Sequence, residues 1–210
     1  MTLDSLRPKV AWIVNPVASG MVRLHFTQNT CTVLALAAAG TGGVAFGLGQ
    51  PIWGVVCVLL NAFFDAIDGA VARVSGIASP AGDYLDHVFD RYADIFLITG
   101  IFAWGTVAWT RAVPAWAIGI FALTGVIMSS YLGTQAQAVG LKRNYGGILG
   151  RADRLLLLIV FGAVEAVYPA PLILGLPALG WLLVILGLFG HITAVQRFVS
   201  GWRELNAGKD

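Results

Sequence analysis

The stretch that decides the fold is residues 65–94, DAIDGAVARVSGIASPAGDYLDHVFDRYAD, which carries six of the chain's 11 acidic residues. The six are Asp65, Asp68, Asp83, Asp86, Asp90 and Asp94. They lie in segments that are otherwise apolar enough to cross a membrane, where one charged side chain costs roughly 2.5–3.5 kcal/mol. Bound metal ions, and a substrate held by them, would offset that cost. The stretch therefore predicts a metal site within a membrane.

The composition of the whole chain agrees with a membrane protein. Of its 210 residues, 58% are hydrophobic and only 11% are charged, whereas a soluble domain carries about 25% charged residues. Because a spanning helix needs about 20 apolar residues, the length fits an all-α bundle of six transmembrane helices. The net charge of +2 gives no indication of a nucleic-acid partner.

We predict one domain in three parts: an interfacial amphipathic helix at 1–24, a six-helix core at 25–200 and a cytoplasmic tail at 201–210. Apolar residues recur at helical spacing in the first part, with Arg7 and Lys9 beside them, as in helices that lie along a membrane surface. The six spans of the core are predicted at 30–49, 52–76, 80–108, 113–139, 154–168 and 177–199.

The sequence of the first span indicates where its helix begins and where another helix packs against it. Asn29 stands where the N-cap of a helix is expected. Gly43 and Gly47 have the four-residue spacing of small residues at closely packed membrane helices. We therefore predict that another helix approaches the first span at these glycines.

The basic residues are distributed unevenly between the two sides of the predicted bundle. With six spans and both ends on one side, all of the 13 Lys and Arg residues except Arg111 fall on that side. Because the loops on the cytoplasmic side carry the excess of Lys and Arg, this distribution predicts an integral protein of the cell membrane. It also predicts that the Asp-rich helix ends, and with them the active site, face the cytoplasm.

The acidic residues share one face on each of two predicted helices. At about 100° per residue, Asp65 and Asp68 lie about 60° apart on the second span, and the four acidic residues of the third span fall within about 80° of one another. Carboxylates that converge at one depth repel each other unless cations lie among them. Oxygen ligands of this kind suit magnesium, manganese or calcium rather than zinc.

Gly69 and Arg73, beside these carboxylates, indicate a phosphorylated ligand. Gly69 leaves room for a ligand to approach the backbone, and the guanidinium of Arg73 is a forked donor suited to phosphate. Metal ions and an arginine together suit a pyrophosphate, whose leaving group they stabilise. A neighbouring carboxylate can take the proton of an attacking hydroxyl.

From Asp65 to Asp90 the chain reads D-x2-D-G-x2-A-R-x8-G-x3-D-x3-D. This pattern resembles, at every fixed position, the signature of the CDP-alcohol phosphatidyltransferase family. The resemblance implies an enzyme of phospholipid synthesis that moves the phosphatidyl or archaetidyl group of a CDP-linked lipid to a polar alcohol and releases CMP. It also implies two divalent ions, Mg²⁺ or Mn²⁺, contact with membrane lipids, and a homodimer.

The resemblance implies a role for individual residues as well. Asp90 matches the general base, which makes it the catalytic residue. The metal ligands are Asp65, Asp68, Asp86 and Asp90. The CDP site comprises Asp65, Asp68, Gly69, Ala72, Arg73 and Gly82, together with Asn29 and Thr32. The last two lie in QNTCT at 28–32, which is similar to the family's P-N-x-x-T except that Gln28 replaces the proline.

Two further similarities concern the acceptor alcohol. Residues 90–94, DRYAD, and 150–154, GRADR, resemble the D-R-x-x-D and E-R-x-x-R of the branch that makes phosphatidylinositol phosphate and archaetidylinositol phosphate. We therefore expect inositol phosphate as the acceptor. The basic residues expected to bind it are Arg91, Lys142, Arg143, Arg151 and Arg154.

The stretch after the fourth-span Ser130 and Tyr131 departs from that branch. The branch carries a basic residue soon after this pair, whereas this chain has Gln135 and Gln137 there. Glycerol phosphate, serine and an unphosphorylated polyol therefore stay open as acceptors.

Two other classes of protein can hold carboxylates within a membrane. A cation or proton transporter uses them as an ion path, but such a path has no need for Gly69 or Arg73. A membrane prenyltransferase binds a pyrophosphate through Asp and metal, but Gly69 stands where its pattern requires a further Asp. Asp83 is either a residue that the helix dipole favours at the start of its helix or a substrate contact, and Asp94 is a candidate partner of Arg91 or Arg154. His87 is interpreted as an isolated residue that is not a ligand.

Overall fold

The computed structural model describes residues 7–104 and 113–207, and the regular structure of these residues is entirely helical. Seven α-helices follow one another along the chain: α1 Arg7–Arg23, α2 Gln28–Gly47, α3 Pro51–Ser75, α4 Pro80–Trp104, α5 Ala115–Ala138, α6 Arg151–Val167 and α7 Ala178–Asn206. A short 3₁₀ turn at Ile173–Gly175 precedes α7. The predicted all-α class is confirmed for this part of the chain.

Four of these helices, α2, α3, α5 and α7, are long and apolar enough to cross a membrane. Large apolar side chains such as Val33, Leu59 and Ile120 are exposed on them, as expected of surfaces that contact lipid. Helices α4 and α6 coincide with the predicted third and fifth spans. That these two also cross the membrane remains a prediction.

Two helix ends differ from the sequence-based expectation. Thr27, not Asn29, caps α2, because its hydroxyl oxygen accepts a hydrogen bond from the backbone N–H of Thr30 at 3.2 Å. Helix α7 continues to Asn206 and so includes most of the segment predicted as a tail.

Some predicted features fall on residues that the structure does not describe. These are the first six residues of the interfacial helix, the end of the third span at 108, Arg111, and the last three residues of the tail.

The chain forms two compact units, and the N-terminal unit, residues 5–104, contains α1 to α4. Helix α2 packs against both α3 and α4. A Cβ atom added to Gly43 would strike the carbonyl of Phe96, and one added to Gly100 would strike the carbonyl of Gly43. The backbones of α2 and α4 are therefore in contact, which confirms the predicted close approach at Gly43.

Helix α1 packs against α3. It continues through Pro16, although proline removes a hydrogen bond from a helix interior. Ala18 of α1 is fully buried in a cluster with Ile67, Ala70 and Val71 of α3. The position of α1 at a membrane interface remains a prediction.

The turn between α3 and α4 brings the two acidic segments of the chain together. Gly76, with φ of +70°, adopts the left-handed conformation that ends α3. Ser79 caps the start of α4: its hydroxyl oxygen accepts a hydrogen bond from the N–H of Gly82 at 3.1 Å, and its carbonyl accepts one from Asp83 at 3.1 Å. The end of α3 and the start of α4 are therefore joined by a short, capped connection.

The C-terminal unit contains α5, α6 and α7, with α7 packed against the other two. Gly190 of α7 lies against the backbone of Gly125 of α5, since a Cβ atom at Gly190 would stand 2.7 Å from the carbonyl carbon of Gly125. Glu165 of α6 is only 1% exposed and accepts a hydrogen bond from the N–H of Leu179 at 3.1 Å. This carboxylate caps the first turn of α7, which Pro177 leaves without a side-chain cap.

Candidate metal centre

The side chains of α3 and α4 form two groups of metal-ligand type that share one residue. One carboxylate oxygen from each of Asp65, Asp68 and Asp86 lies within 4.8 Å of the others. The second group is Asp86, His87 and Asp90, whose ligand atoms also lie within 4.8 Å of one another. Asp86 belongs to both groups, so the site offers two adjacent positions for a cation.

The helical period explains why these residues converge. Asp65 and Asp68 are three residues apart on α3, and Asp86 and Asp90 are four apart on α4, so each pair lies on one face of its helix. We call Asp65, Asp68, Asp86 and Asp90 the carboxylate cluster. The structure thus brings together all four predicted metal ligands.

The donor atoms of the carboxylate cluster fit a hard divalent cation. Carboxylate oxygens are the ligands that Mg²⁺ and Mn²⁺ take in proteins. Asp68 is 4% exposed and Asp90 is 9% exposed, and charges buried in this way need a counter-charge.

Thr32 of α2 orients one ligand of the cluster. Its hydroxyl, buried at 2% exposure, donates to Oδ2 of Asp68 at 2.9 Å and lies 3.0 Å from the carbonyl of Gln28. The structure thus joins Thr32 to a predicted metal ligand, and the nucleotide contact that the sequence predicts for Thr32 remains a prediction. A hydrogen bond of this kind fixes the carboxylate in the position from which it would bind the ion.

We predict that Thr32→Val weakens Mn²⁺ binding about tenfold, because partners of a metal ligand typically contribute 10- to 100-fold in affinity. Titration calorimetry on the purified protein would measure the change. The matched control is Thr41→Val, since the Thr41 hydroxyl bonds only the carbonyl of Ala37 in its own helix. An unchanged Mn²⁺ affinity in Thr32→Val would contradict the orienting role.

Arg91 lies between two carboxylates of α4. Its Nη2 is 3.6 Å from Oδ2 of Asp90, and its Nη1 is 3.5 Å from Oδ2 of Asp94. Of the two partners expected for Asp94, the structure shows Arg91, and this contact holds the guanidinium beside Asp90. The predicted contact of Arg91 with the acceptor remains a prediction.

The interpretation of His87 as an isolated residue is wrong. Its Nδ1 lies 3.7 Å from Oδ2 of Asp86, and its Nε2 lies 3.5 Å from Oδ1 of Asp83. The sequence carries a signal for this contact, because Asp83 and His87 are four residues apart and therefore neighbours on a helix surface.

The small residues of the motif differ in their surroundings. A Cβ atom at Gly69 would stand 3.4 Å from Nη1 of the exposed Arg73, so the guanidinium lies beside this glycine. The side-chain amide of Gln28 lies against Gly82, where a Cβ atom would stand 2.5 Å from its Oε1. Ala72 is 4% exposed and Asn29 is exposed.

The other basic residues predicted to bind the acceptor belong to the C-terminal unit. Arg154 is 4% exposed, and its Nη2 lies 3.5 Å from the hydroxyl of Ser130. Arg143 lies over the ring of Tyr145 at 5.0 Å, and Lys142 is exposed. Arg151 is half-buried in the first turn of α6. Their role remains a prediction.

Arg197 of α7, for which the sequence predicted no function, holds the loop between α5 and α6. Its Nε donates to the carbonyl of Gly146 at 2.8 Å, and its Nη1 donates to the carbonyl of Ser129 at 2.6 Å. The hydroxyl of Thr193, one turn earlier, accepts a hydrogen bond from the N–H of Leu149 at 3.1 Å. The four-residue spacing of these two polar residues in an apolar helix is the signal that could have identified them.

Comparison with known proteins shows the family of the chain. The family model for CDP-alcohol phosphatidyltransferase matches residues 26–200. A phosphatidylinositol phosphate synthase of Mycobacteroides abscessus is 35% identical over 159 residues, which are 75% of this chain and 71% of that protein. An archaetidylinositol phosphate synthase of Pyrococcus horikoshii is 27% identical over 98% of this chain and 100% of that protein.

Two solved structures of one further relative have folds similar to that of this chain. The crystal structure of Mycobacterium tuberculosis phosphatidylinositol phosphate synthase with CDP-DAG bound has a TM-score of 0.78 and 29% identity, covering 90% of this chain and 94% of that one. A second crystal structure of that synthase, in complex with manganese and citrate, also has a TM-score of 0.78, covering 90% of this chain and 88% of that one.

The apolar helices and the carboxylate cluster define an integral membrane enzyme that uses divalent metal ions. The chain belongs to the CDP-alcohol phosphatidyltransferase family, which confirms the resemblance read from the motif between Asp65 and Asp90. The reaction of this family is the transfer of a phosphatidyl group from a CDP-linked lipid to an alcohol. Because the chain belongs to this family, the carboxylates are not those of a cation transporter or a prenyltransferase.

Proposed function

We propose that this enzyme transfers the phosphatidyl group of a CDP-linked lipid to inositol phosphate and releases CMP. The observation that carries the proposal is the pair of overlapping ligand groups that share Asp86, because two adjacent cations suit a pyrophosphate. The choice of acceptor is supported by the relatives, which are named as phosphatidylinositol phosphate and archaetidylinositol phosphate synthases. The lipid of the donor is a diacylglycerol or an archaeal ether lipid.

The carboxylate cluster would hold two ions, Mg²⁺ or Mn²⁺. Asp65, Asp68 and Asp86 would bind one of them, and Asp86 and Asp90 would take part in binding the other. When bound, such ions neutralise phosphate charge and stabilise the departing group. Asp68 would enter this arrangement already oriented by Thr32.

The CDP part of the donor would lie along the small residues beside the cluster. Arg73, exposed next to Gly69, presents a forked donor to a phosphate of the leaving CMP. Asp65 and Asp68 border the same space from one turn earlier on α3. Ala72, Gly82, Asn29 and Thr32 complete the proposed nucleotide site.

Asp90 would act as the general base. Its carboxylate would take the proton of the acceptor hydroxyl as the oxygen attacks the phosphorus that bears the lipid. Arg91, 3.6 Å away and held on its other side by Asp94, keeps the Asp90 carboxylate in place. Arg91 and the basic residues Lys142, Arg143, Arg151 and Arg154 are proposed to bind the phosphate of the acceptor.

The arrangement in the membrane belongs to the same proposal. Six spans would place both ends of the core in the cytoplasm, with α1 at the interface and the active site open to the cytoplasm, where polar acceptors are available. The unequal distribution of Lys and Arg supports this orientation. We propose a homodimer as the assembly, following the family resemblance.

An acceptor screen tests the proposed function. The purified protein would be incubated with a CDP-linked lipid and Mg²⁺ or Mn²⁺, and CMP release would be measured with inositol phosphate, glycerol phosphate, serine and inositol in turn. We expect the fastest release with inositol phosphate. Fastest release with another acceptor would refute the inositol phosphate assignment, and no release with any acceptor would count against transferase activity.

We predict that Arg151→Gln combined with Arg154→Gln raises the KM for a phosphorylated acceptor at least about tenfold, because each charged hydrogen bond lost is worth roughly 1.5–3 kcal/mol. The KM for an uncharged acceptor should change much less. Arg203→Gln, which removes an exposed basic residue of α7, is the control. Equal losses for both kinds of acceptor would remove the case for a phosphate site at these arginines.

A further inference from the structure

The imidazole of His87 offers a nitrogen ligand among the acidic side chains of α4. One of its ring nitrogens lies within 4.8 Å of a carboxylate oxygen of both Asp86 and Asp90. Its Nδ1 faces Asp86 Oδ2 at 3.7 Å, and its Nε2 faces Asp83 Oδ1 at 3.5 Å on the opposite side of the ring. The imidazole is therefore held between a member of the carboxylate cluster and an acidic residue outside it.

We propose that His87 binds one of the two divalent ions through Nδ1, with Asp83 as the carboxylate that orients the imidazole. This inference rests on the metal site of the proposed function. A histidine that binds a metal almost always directs its other ring nitrogen to a carboxylate, a carbonyl or water. Here Nε2 of His87 is directed to the carboxylate of Asp83. This contact would give a function to Asp83, although its side chain is 73% exposed.

The separation of the donor atoms agrees with this role. Two ligands on adjacent corners of an octahedron with bonds of about 2.1 Å lie about 3 Å apart. The 3.7 Å between Nδ1 of His87 and Oδ2 of Asp86 is slightly larger, so the two atoms would have to approach each other by about 0.7 Å to bind one ion.

A nitrogen ligand changes which metal the site prefers. Mg²⁺ binds oxygen ligands and retains several waters, whereas transition metals accept imidazole readily. The position formed by Asp86, His87 and Asp90 should therefore favour Mn²⁺ over Mg²⁺. The position formed by Asp65, Asp68 and Asp86 offers oxygen ligands alone and should discriminate less.

Pulsed electron paramagnetic resonance on the Mn²⁺-loaded, untagged protein tests the proposal directly. We expect the echo modulation of a directly bound ¹⁴N nucleus, replaced by a ¹⁵N signal when the histidines are labelled. The modulation should be lost in His87→Gln. It should persist in the double variant His25→Asn with His191→Gln, which keeps His87. A wild-type spectrum without nitrogen coupling, or coupling that survives in His87→Gln, would overturn the assignment.

Titration with the two metals gives a second measurement. His87→Gln should weaken Mn²⁺ binding at one position about tenfold or more and change Mg²⁺ binding much less, and Asp83→Asn should have a smaller effect in the same direction. Equal losses for both metals would overturn the proposed preference. Mn²⁺ bound through oxygen alone would remove the His87 assignment but not transferase activity, whereas nitrogen coupling without CMP release would refute the transfer reaction alone.

Discussion

Replacing Asp90 by Asn is expected to lower the rate of CMP release by about 10²- to 10⁴-fold at saturating Mn²⁺, the usual contribution of a general base. The asparagine amide keeps the size of the side chain and one oxygen, but it cannot take a proton from the acceptor hydroxyl. The position of Asp90 supports this expectation, because it lies beside Asp86 in the carboxylate cluster and is only 9% exposed.

The design of this experiment must separate proton transfer from metal binding. Mn²⁺ affinity would be measured for the same variant, and turnover would be compared only where the metal is saturating. Glu204→Gln, the same change of charge at an exposed position of α7, is the control and should keep its activity. Near-normal turnover in Asp90→Asn would exclude Asp90 as the base.

Asp86→Asn is expected to have the largest effect on metal binding, because Asp86 belongs to both ligand groups. Loss of a residue that only supports a ligand already costs 10- to 100-fold in affinity, so loss of a shared ligand should weaken Mn²⁺ binding by at least about 100-fold. CMP release should fall below detection at Mn²⁺ concentrations that saturate the wild-type protein. Titration calorimetry and a CMP-release assay would measure the two effects.

A comparison with Asp65→Asn sharpens this prediction. Asp65 belongs to one group only, so its variant should lose one of two bound Mn²⁺ ions and retain the ion near Asp90. The number of ions bound per chain is therefore the deciding quantity. If Asp86→Asn and Asp65→Asn lost the same single ion, the two ligand groups would not correspond to two metal positions.

Much of the fold could be predicted from the sequence because its signals are local. Every predicted span coincides with a helix in the described residues, since apolar length and bounding residues such as Pro51 and Pro80 act along one segment. The end of α7 was missed because charged residues near the end of a chain resemble a tail as much as a helix terminus. The N-cap of α2 is Thr27 rather than Asn29 because both residues are suitable caps, and the sequence does not specify at which of the two the helix begins.

The site could be predicted only in part. The helical period and the motif from Asp65 to Asp90 predict which helix faces carry Asp65, Asp68, Asp86 and Asp90. The hydrogen bond from Thr32 to Asp68 joins residues 36 positions apart, so no local sequence pattern predicts that contact. The partners of Arg197 and Glu165 likewise lie on other helices or in a distant loop, so the sequence did not specify these contacts.

By itself the sequence determined that this chain forms long apolar helices and that two helices carry a carboxylate face, because both properties depend on residues within one helical segment. Only the tertiary structure decided which ligand atoms meet. It placed Asp86 in both ligand groups, joined Thr32 to Asp68 by a hydrogen bond and brought His87 between Asp83 and Asp86. These contacts depend on helix packing and on the side-chain orientations that packing selects, which the order of residues along one helix does not specify.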